Sequence, residues 1–370
     1  MRIGIDARNL VSPLSGISRY IIETTRHLAA LGAELYLYLP EATPAQESLP
    51  PSVQQDVSIF HGAIPRVFWG NACLPRLIQR DKIDVFWGPA HRLPWIAPVN
   101  IPTVLTIHDL VWRHAPSTMR LKGWLAERVF MGPAIRRATQ IVTISHASHD
   151  AICALYPSIQ DKVNLVWPGC TPLPTSDMTL TRHGLSRPYM LFVGTLEPRK
   201  NLINLLRAYA LLPEALRQQW QLVIAEGNGW KLNHLENIIS ELNIAQNVLL
   251  TGFVSDAELG TLYANAEFLV MPSFYEGFGL PIIEANAAGI PVLTSCLSSM
   301  PEVGGDAAFL VDPYSPESIT NGLESMMTNK ALYQKLVAST KTNAARFTWE
   351  NSAKALVRVF EQAAKKKLLS

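Results

Sequence analysis

Two glutamates, Glu276 and Glu284, flank the glycine-rich turn Glu276-Gly277-Phe278-Gly279-Leu280-Pro281-Ile282-Ile283-Glu284, with seven residues between them. Gly277 and Gly279 carry no side chain that would keep a ligand off the backbone, and Pro281 has the φ favoured in the first turn of a helix. Such a turn aims backbone N–H groups at whatever binds there. Glu276, ahead of the turn, can accept hydrogen bonds from sugar hydroxyls, and Glu284, one turn into the helix, can reach a ribose diol. A hexose attached to a nucleotide needs this set of groups, and neither carboxylate needs a metal for it. The plainer alternative is a helix N-terminus whose acid complements the dipole.

A second group lies in Gly194-Thr195-Leu196-Glu197-Pro198-Arg199-Lys200-Asn201. Arg199 and Lys200 follow an apolar strand and precede a helix starting near Asn201, so two cations oppose the helix dipole. An anion in the site resolves that conflict. A diphosphate would do so by accepting bidentate guanidinium contacts plus ammonium and backbone N–H donors; a solvated pair on an exposed turn is the alternative. Gly16, in Pro13-Leu14-Ser15-Gly16-Ile17-Ser18-Arg19-Tyr20, stands between the first strand and first helix, where bare backbone can approach a phosphate. His108 and Asp109 end the apolar strand Pro102 to Ile107. Asp109 either orients the imidazole or caps a helix, and both readings stay open.

Elements that position these residues are legible as a rhythm. At 370 residues the chain has room for two domains, and a 48% hydrophobic content supports folded cores. Apolar runs at 2–7, 34–39, 57–61, 84–88, 102–107, 140–145 and 164–167 alternate with helical stretches, the βαβ pattern of a parallel sheet. Residues 168–188 lose periodicity and read as a linker, with turn formers through Asp177. Strands then resume near 189–194, 220–225, 247–251, 267–271, 291–294 and 308–311. Leu356, Val359, Phe360 and Ala363 share one helical face that needs a surface to pack on.

Other classes find little support. A net charge of +2 does not suggest nucleic acid as partner. Cys73, Cys153, Cys170 and Cys296 are scattered, without metal or disulfide spacing, and fit a reducing cytoplasm. No signal segment and no run of about 18 apolar residues occurs. Neither a D-x-D pair nor a G-x-x-x-x-G-K-[ST] loop is present. Gly277-x-Gly279 fails as a dinucleotide fingerprint, because Ile282 stands where its third glycine would be.

The nonapeptide 276–284 matches the E-x7-E signature of retaining glycosyltransferases with the GT-B fold. Together with Ser15 to Tyr20, Gly194 to Asn201 and Pro301-Glu302-Val303-Gly304-Gly305, it makes the sequence resemble glycosyltransferase family 4 over nearly its whole length. The resemblance is to bacterial mannosyltransferases of O-antigen and exopolysaccharide assembly. It implies an α/β, GT-B protein of two Rossmann-like domains with parallel sheets facing across a cleft. Residues 1–175 would bind the acceptor, 186–350 the nucleotide-sugar donor, and 351–370 would pack back on the first domain as a helix.

The implied reaction moves a hexose, mannose from GDP-mannose ahead of UDP-hexoses, to a hydroxyl of a glycan or lipid-linked glycan in lipopolysaccharide synthesis, with retention and without metal or cofactor. Glu276, Arg199, Lys200 and His108 would be catalytic. Gly16, Gly194, Arg199, Lys200, Glu276, Gly277, Phe278, Gly279, Leu280 and Glu284 would bind the donor. Arg199 and Lys200 would stabilise the departing diphosphate, and the His108 backbone would lie near the anomeric carbon. Relatives often carry a second glycine where Ser15 stands. A basic stretch, Arg113, His114, Arg120, Lys122, Trp124, Arg128, Arg136 and Arg137, reads either as a solvated face or as peripheral contact with anionic lipid at the inner face of the cytoplasmic membrane. Rival readings are an inactive donor-binding scaffold, against which the retained charged residues speak, and a nucleotide-sugar epimerase of the same fold, against which E-x7-E speaks.

Overall fold

The computed structural model describes residues 1–11, 15–95, 101–176, 179–227 and 232–368. Pro13 and Leu14 of the first glycine loop and Asp177 of the expected linker lie outside the described residues. The chain divides into two compact units. The first comprises residues 1–112, 120–169 and those from 348 onward, and the second comprises 113–119 and 170–347.

In the first unit, β1 (Arg2–Asp6), β2 (Glu34–Leu39), β3 (Gln54–Val57), β4 (Val85–Gly88), β5 (Thr103–Ile107), β6 (Gln140–Thr143) and β7 (Val163–Leu165) form a wholly parallel sheet in the order β3-β2-β1-β4-β5-β6-β7. Its central strands are buried on both faces, which is why they read as continuous apolar runs. The third strand was expected at 57–61 and is found at Gln54–Val57. It lies at the sheet edge, where Gln54, Gln55 and Asp56 meet solvent, so no apolar run marks it.

The helix Gly16–Ala30 follows β1 and is capped by Ser15, whose hydroxyl accepts from the Ser18 amide at 3.3 Å. The helix Trp349–Leu368 also belongs to this unit. It buries Leu356, Val359, Phe360 and Ala363 against the helix Gly16–Ala30 and the sheet, with Phe360 edge-on to Trp87. Gly169 lies so close to Thr348 and Trp349 that a Cβ there would overlap their backbone.

In the second unit, β8 (Tyr189–Thr195), β9 (Gln221–Gly227), β10 (Val248–Gly252), β11 (Phe268–Met271), β12 (Val292–Ser295) and β13 (Ala308–Val311) form a parallel sheet in the order β10-β9-β8-β11-β12-β13. Counted from β8, this is the Rossmann order 3-2-1-4-5-6. Phe192, Ile224, Phe268 and Val270 pack with Leu205, Leu206 and Tyr209 in its core. Residues 170–176, expected as linker, are held by this unit. The Ser176 amide donates to Thr261 Oγ1 at 2.7 Å, the Thr261 hydroxyl returns a bond to Ser176 O at 3.0 Å, and Gly260 has no room for a Cβ against Pro174.

Candidate active site

β8 and β11 are neighbours, and the strand order reverses between them. Chains leaving their carboxyl ends therefore diverge and leave the space where open α/β sheets take ligands. Gly194, near the end of β8, has φ +155°, and a Cβ there would press on the Lys200 side chain at 3.2 Å. After the turn Pro198–Lys200, Asn201 adopts a left-handed backbone (φ +62°) unusual for a residue with a side chain. Its amide group holds it there by donating to Pro272 O at 2.9 Å and Pro313 O at 2.6 Å. The Phe274 amide donates to Arg199 O at 2.8 Å, so the segments after β8 and β11 are tied together.

This brings Arg199 and Lys200 onto Glu276. Lys200 Nζ stands 2.6 Å from Glu276 Oε1, the Arg199 guanidinium bonds Oε2, and Arg199 Nε also reaches Glu197 at 2.7 Å. The conflict of two cations with a helix N-terminus is thus answered by the protein's own carboxylate. Burial acts to raise the Glu276 carboxyl, yet the charges and hydrogen bonds of Arg199 and Lys200 hold it down to about 2. Glu276 is therefore ionised at neutral pH.

Three serines that the sequence did not single out complete the cradle. Ser273 lies 3.1 Å from Glu276 Oε1, while the Ser298 and Ser299 hydroxyls donate to Glu276 O at 2.6 and 2.9 Å. Ser298 has φ +57°, and Ser299 also donates to Phe278 O. Serines are common in turns, so type alone gives no signal; a second left-handed non-glycine residue beside the site is the structural one.

Past Glu276 and Gly277, Phe278 is buried edge-on to Phe347, and Gly279 takes φ +108° as N-cap of the helix Leu280–Ala287. Glu284, one turn along and half-buried, accepts from the Tyr263 hydroxyl at 3.0 Å. Gly305, in the Pro301 to Gly305 motif, has φ +49° against Asn343 and Arg346, which gives that motif a packing role.

Gly16 and His108 belong to the first unit. Gly16 is the first residue of its helix. His108 is buried edge-on to Tyr20, with ring centroids 4.9 Å apart, and its Nε2–H donates to Pro89 O at 2.7 Å. Burial and the nearby His91 ring push its pKa down to about 3, so it is neutral at ordinary pH. Its amide donates to His91 Nε2 at 2.9 Å, and its carbonyl accepts from Ser148 at 3.2 Å. Asp109 Oδ1 accepts from the Val111 amide at 3.1 Å, a local turn bond just ahead of the helix Val111–His114.

The basic stretch divides. Arg113 and His114 fall in the segment grouped with the second unit, where the His114 ring stacks on Tyr275 at 5.5 Å. Lys122, Trp124, Arg128, Arg136 and Arg137 lie on the helix Leu121–Arg137, which also exposes Leu121, Leu125 and Val129. Among the described residues, no helix is long and apolar enough to cross a membrane, and no three His, Cys, Asp or Glu side chains gather as metal ligands.

The family model described as Glycosyltransferase Family 4 matches residues 14–172, and that described as Glycosyl transferases group 1 matches 181–346. The O-antigen chain mannosyltransferase B of Escherichia coli is 29% identical over 95% of this chain and 97% of its own. A D-inositol 3-phosphate glycosyltransferase of Xylanimonas cellulosilytica is 26% identical over 95% and 93%. The crystal structure of Anabaena HepE with UDP-glucose superposes with a TM-score of 0.75 at 17% identity, covering 100% of this chain and 99% of that one. With both family models matched in sequence order and two Rossmann-type sheets beneath them, the chain belongs to the family 4 glycosyltransferases of GT-B fold.

Proposed function

We propose that this glycosyltransferase moves mannose from GDP-mannose to a hydroxyl of a glycan or lipid-linked glycan in bacterial surface polysaccharide synthesis, with retention and without a metal. The observation that carries the reading is the Arg199–Lys200–Glu276 cluster at the carboxyl ends of β8 and β11. Its two cations suit a diphosphate, and Glu284 on the adjacent helix suits a ribose diol. Mannose rests on the likeness to the O-antigen enzyme. A UDP-hexose is the second choice, since HepE was solved with UDP-glucose.

The chemistry follows from what the charged groups cannot do. Glu276 is held ionised by Arg199 and Lys200, so it does not donate a proton near neutral pH. His108, neutral with its Nε2–H given to Pro89, is a poor acid. The bond from the anomeric carbon to the diphosphate oxygen breaks as the acceptor oxygen closes on the same face, and the acceptor's proton passes to the departing diphosphate. Arg199 and Lys200 stabilise the charge that develops there.

The exposed row Leu121, Leu125, Val129 beside Lys122 and Arg128 suits shallow contact with an anionic lipid surface. Leu125→Glu should reduce co-sedimentation with vesicles containing phosphatidylglycerol, and unchanged co-sedimentation would end that reading.

Metal-free calorimetry with GDP-mannose, UDP-glucose and UDP-N-acetylglucosamine tests the donor, and proton NMR of the product tests retention. Lys200→Ala and Arg199→Ala should each lower turnover by about a hundredfold or more. Unchanged turnover in both, or no donor bound at millimolar concentration, would sink the proposal.

A further inference from the structure

His91 follows β4 in a tight loop that begins at Gly88, where a Cβ would overlap Arg92 O. It is buried and holds φ +60°, a left-handed backbone that a residue with a side chain keeps only where its surroundings enforce it. Three bonds enforce it. The His91 amide donates to Thr106 O at 3.0 Å, the His108 amide donates to His91 Nε2 at 2.9 Å, and His108 Nε2–H donates to Pro89 O at 2.7 Å. Loop and strand end thus clasp each other through both histidines. Nε2 of His91 can accept only while it carries no proton, so the proton of the neutral ring sits on Nδ1, which faces Glu127 Oε2 at 3.3 Å.

We infer that His91 is a positioning residue for glycosyl transfer: oriented by Glu127, it accepts the His108 amide and so fixes the residue whose main chain the family resemblance sets beside the anomeric carbon. The inference rests on the proposed transferase reading. It has a built-in pH response, because protonating Nε2 turns an acceptor into a donor aimed at an amide, and the clasp opens. Burial disfavours the charged ring and Arg92 joins it, but Glu127 from the helix Leu121–Arg137 and Asp109 after β5 favour charge and together prevail, so His91 takes its proton more readily than an ordinary histidine. The facing His108 ring stays neutral across the same range. An acid limb of turnover set by His91 is the consequence.

Two measurements on the full chain test this. In nitrogen-15 NMR at alkaline pH, where the His91 ring is neutral, His91 should carry its proton on Nδ1, and the His108 amide should resist exchange and shift as His91 titrates. A proton on Nε2 of His91 would overturn the clasp whether or not any donor binds. In turnover assays with the donor found by calorimetry, His91→Phe should lower kcat about tenfold or more with donor KM within about twofold, a split that general loss of structure would not give. His91→Gln, which presents an acceptor but does not titrate, should recover most of kcat and lose the acid limb; it decides the matter if the Phe variant does not fold. Wild-type kcat and pH profile in the Phe variant would refute the inference alone. A wild-type chain that binds no donor would remove the transferase reading and this inference with it.

Discussion

Glu276 shows how a single carboxylate can be both structural and chemical. Its partners Arg199 and Lys200 lie 77 and 76 residues away in sequence, a contact that motif spacing cannot reveal. The sequence read Arg199 and Lys200 as awaiting an external anion; the fold had room to supply an internal one. Breaking a buried pair from one side leaves uncompensated charge, so Glu276→Gln should destabilise the second unit by about 3–5 kcal/mol in urea unfolding and abolish turnover. A variant of native stability would mean that the pair contributes little. The pH dependence has a defined sign. With the folded carboxyl near 2 and an ordinary value of 4.5, stabilisation of about 3 kcal/mol is fully present above pH 4.5 and fades as pH falls toward 2.

At the scale of elements, apolar runs located nearly every strand, because strands buried on both faces must be apolar throughout. The polar edge strand β3 escaped that logic, and residues 170–176 read as linker because their bonds to the helix Asp256–Asn265 use backbone and a threonine hydroxyl rather than apolar periodicity. The run of the glycine turn into a helix was legible, and its geometry gives a graded test. Gly279 has φ +108° and close neighbours in Ile282 and Met271, whereas Gly289 has φ +87° with open space around it. Both alanine variants pay left-handed strain of about 1 kcal/mol, and only Gly279→Ala adds crowding against the core. Thermal unfolding should therefore show the larger loss at Gly279, along with weaker donor binding. Equal losses would mean that Ile282 and Met271 give way freely.

For the whole molecule, the two units carry different acid sensitivities. His108 stays neutral in the folded first unit down to about pH 3 but takes a proton near 6.5 once unfolded, so its contribution to stability is complete above pH 6.5 and declines as pH falls toward 3. The corresponding decline for Glu276 in the second unit begins only below about 4.5. Acid titration followed by tryptophan fluorescence and hydrogen exchange should show the first unit loosening at higher pH; simultaneous loss would contradict the assignment. Two sheets were legible from the chain, and the discontinuity of the first unit was expected at its last helix, which the resemblance set back on the first domain, but not at residues 113–119, which packing rather than a motif groups with the second unit. That discontinuity reaches into biosynthesis. Residues 170–347 can complete a sheet as soon as they leave the ribosome, whereas the first sheet, although translated earlier, lacks the helix Trp349–Leu368 that covers Trp87 until the second is already out. The sheet made first is thus the one whose covering is completed last.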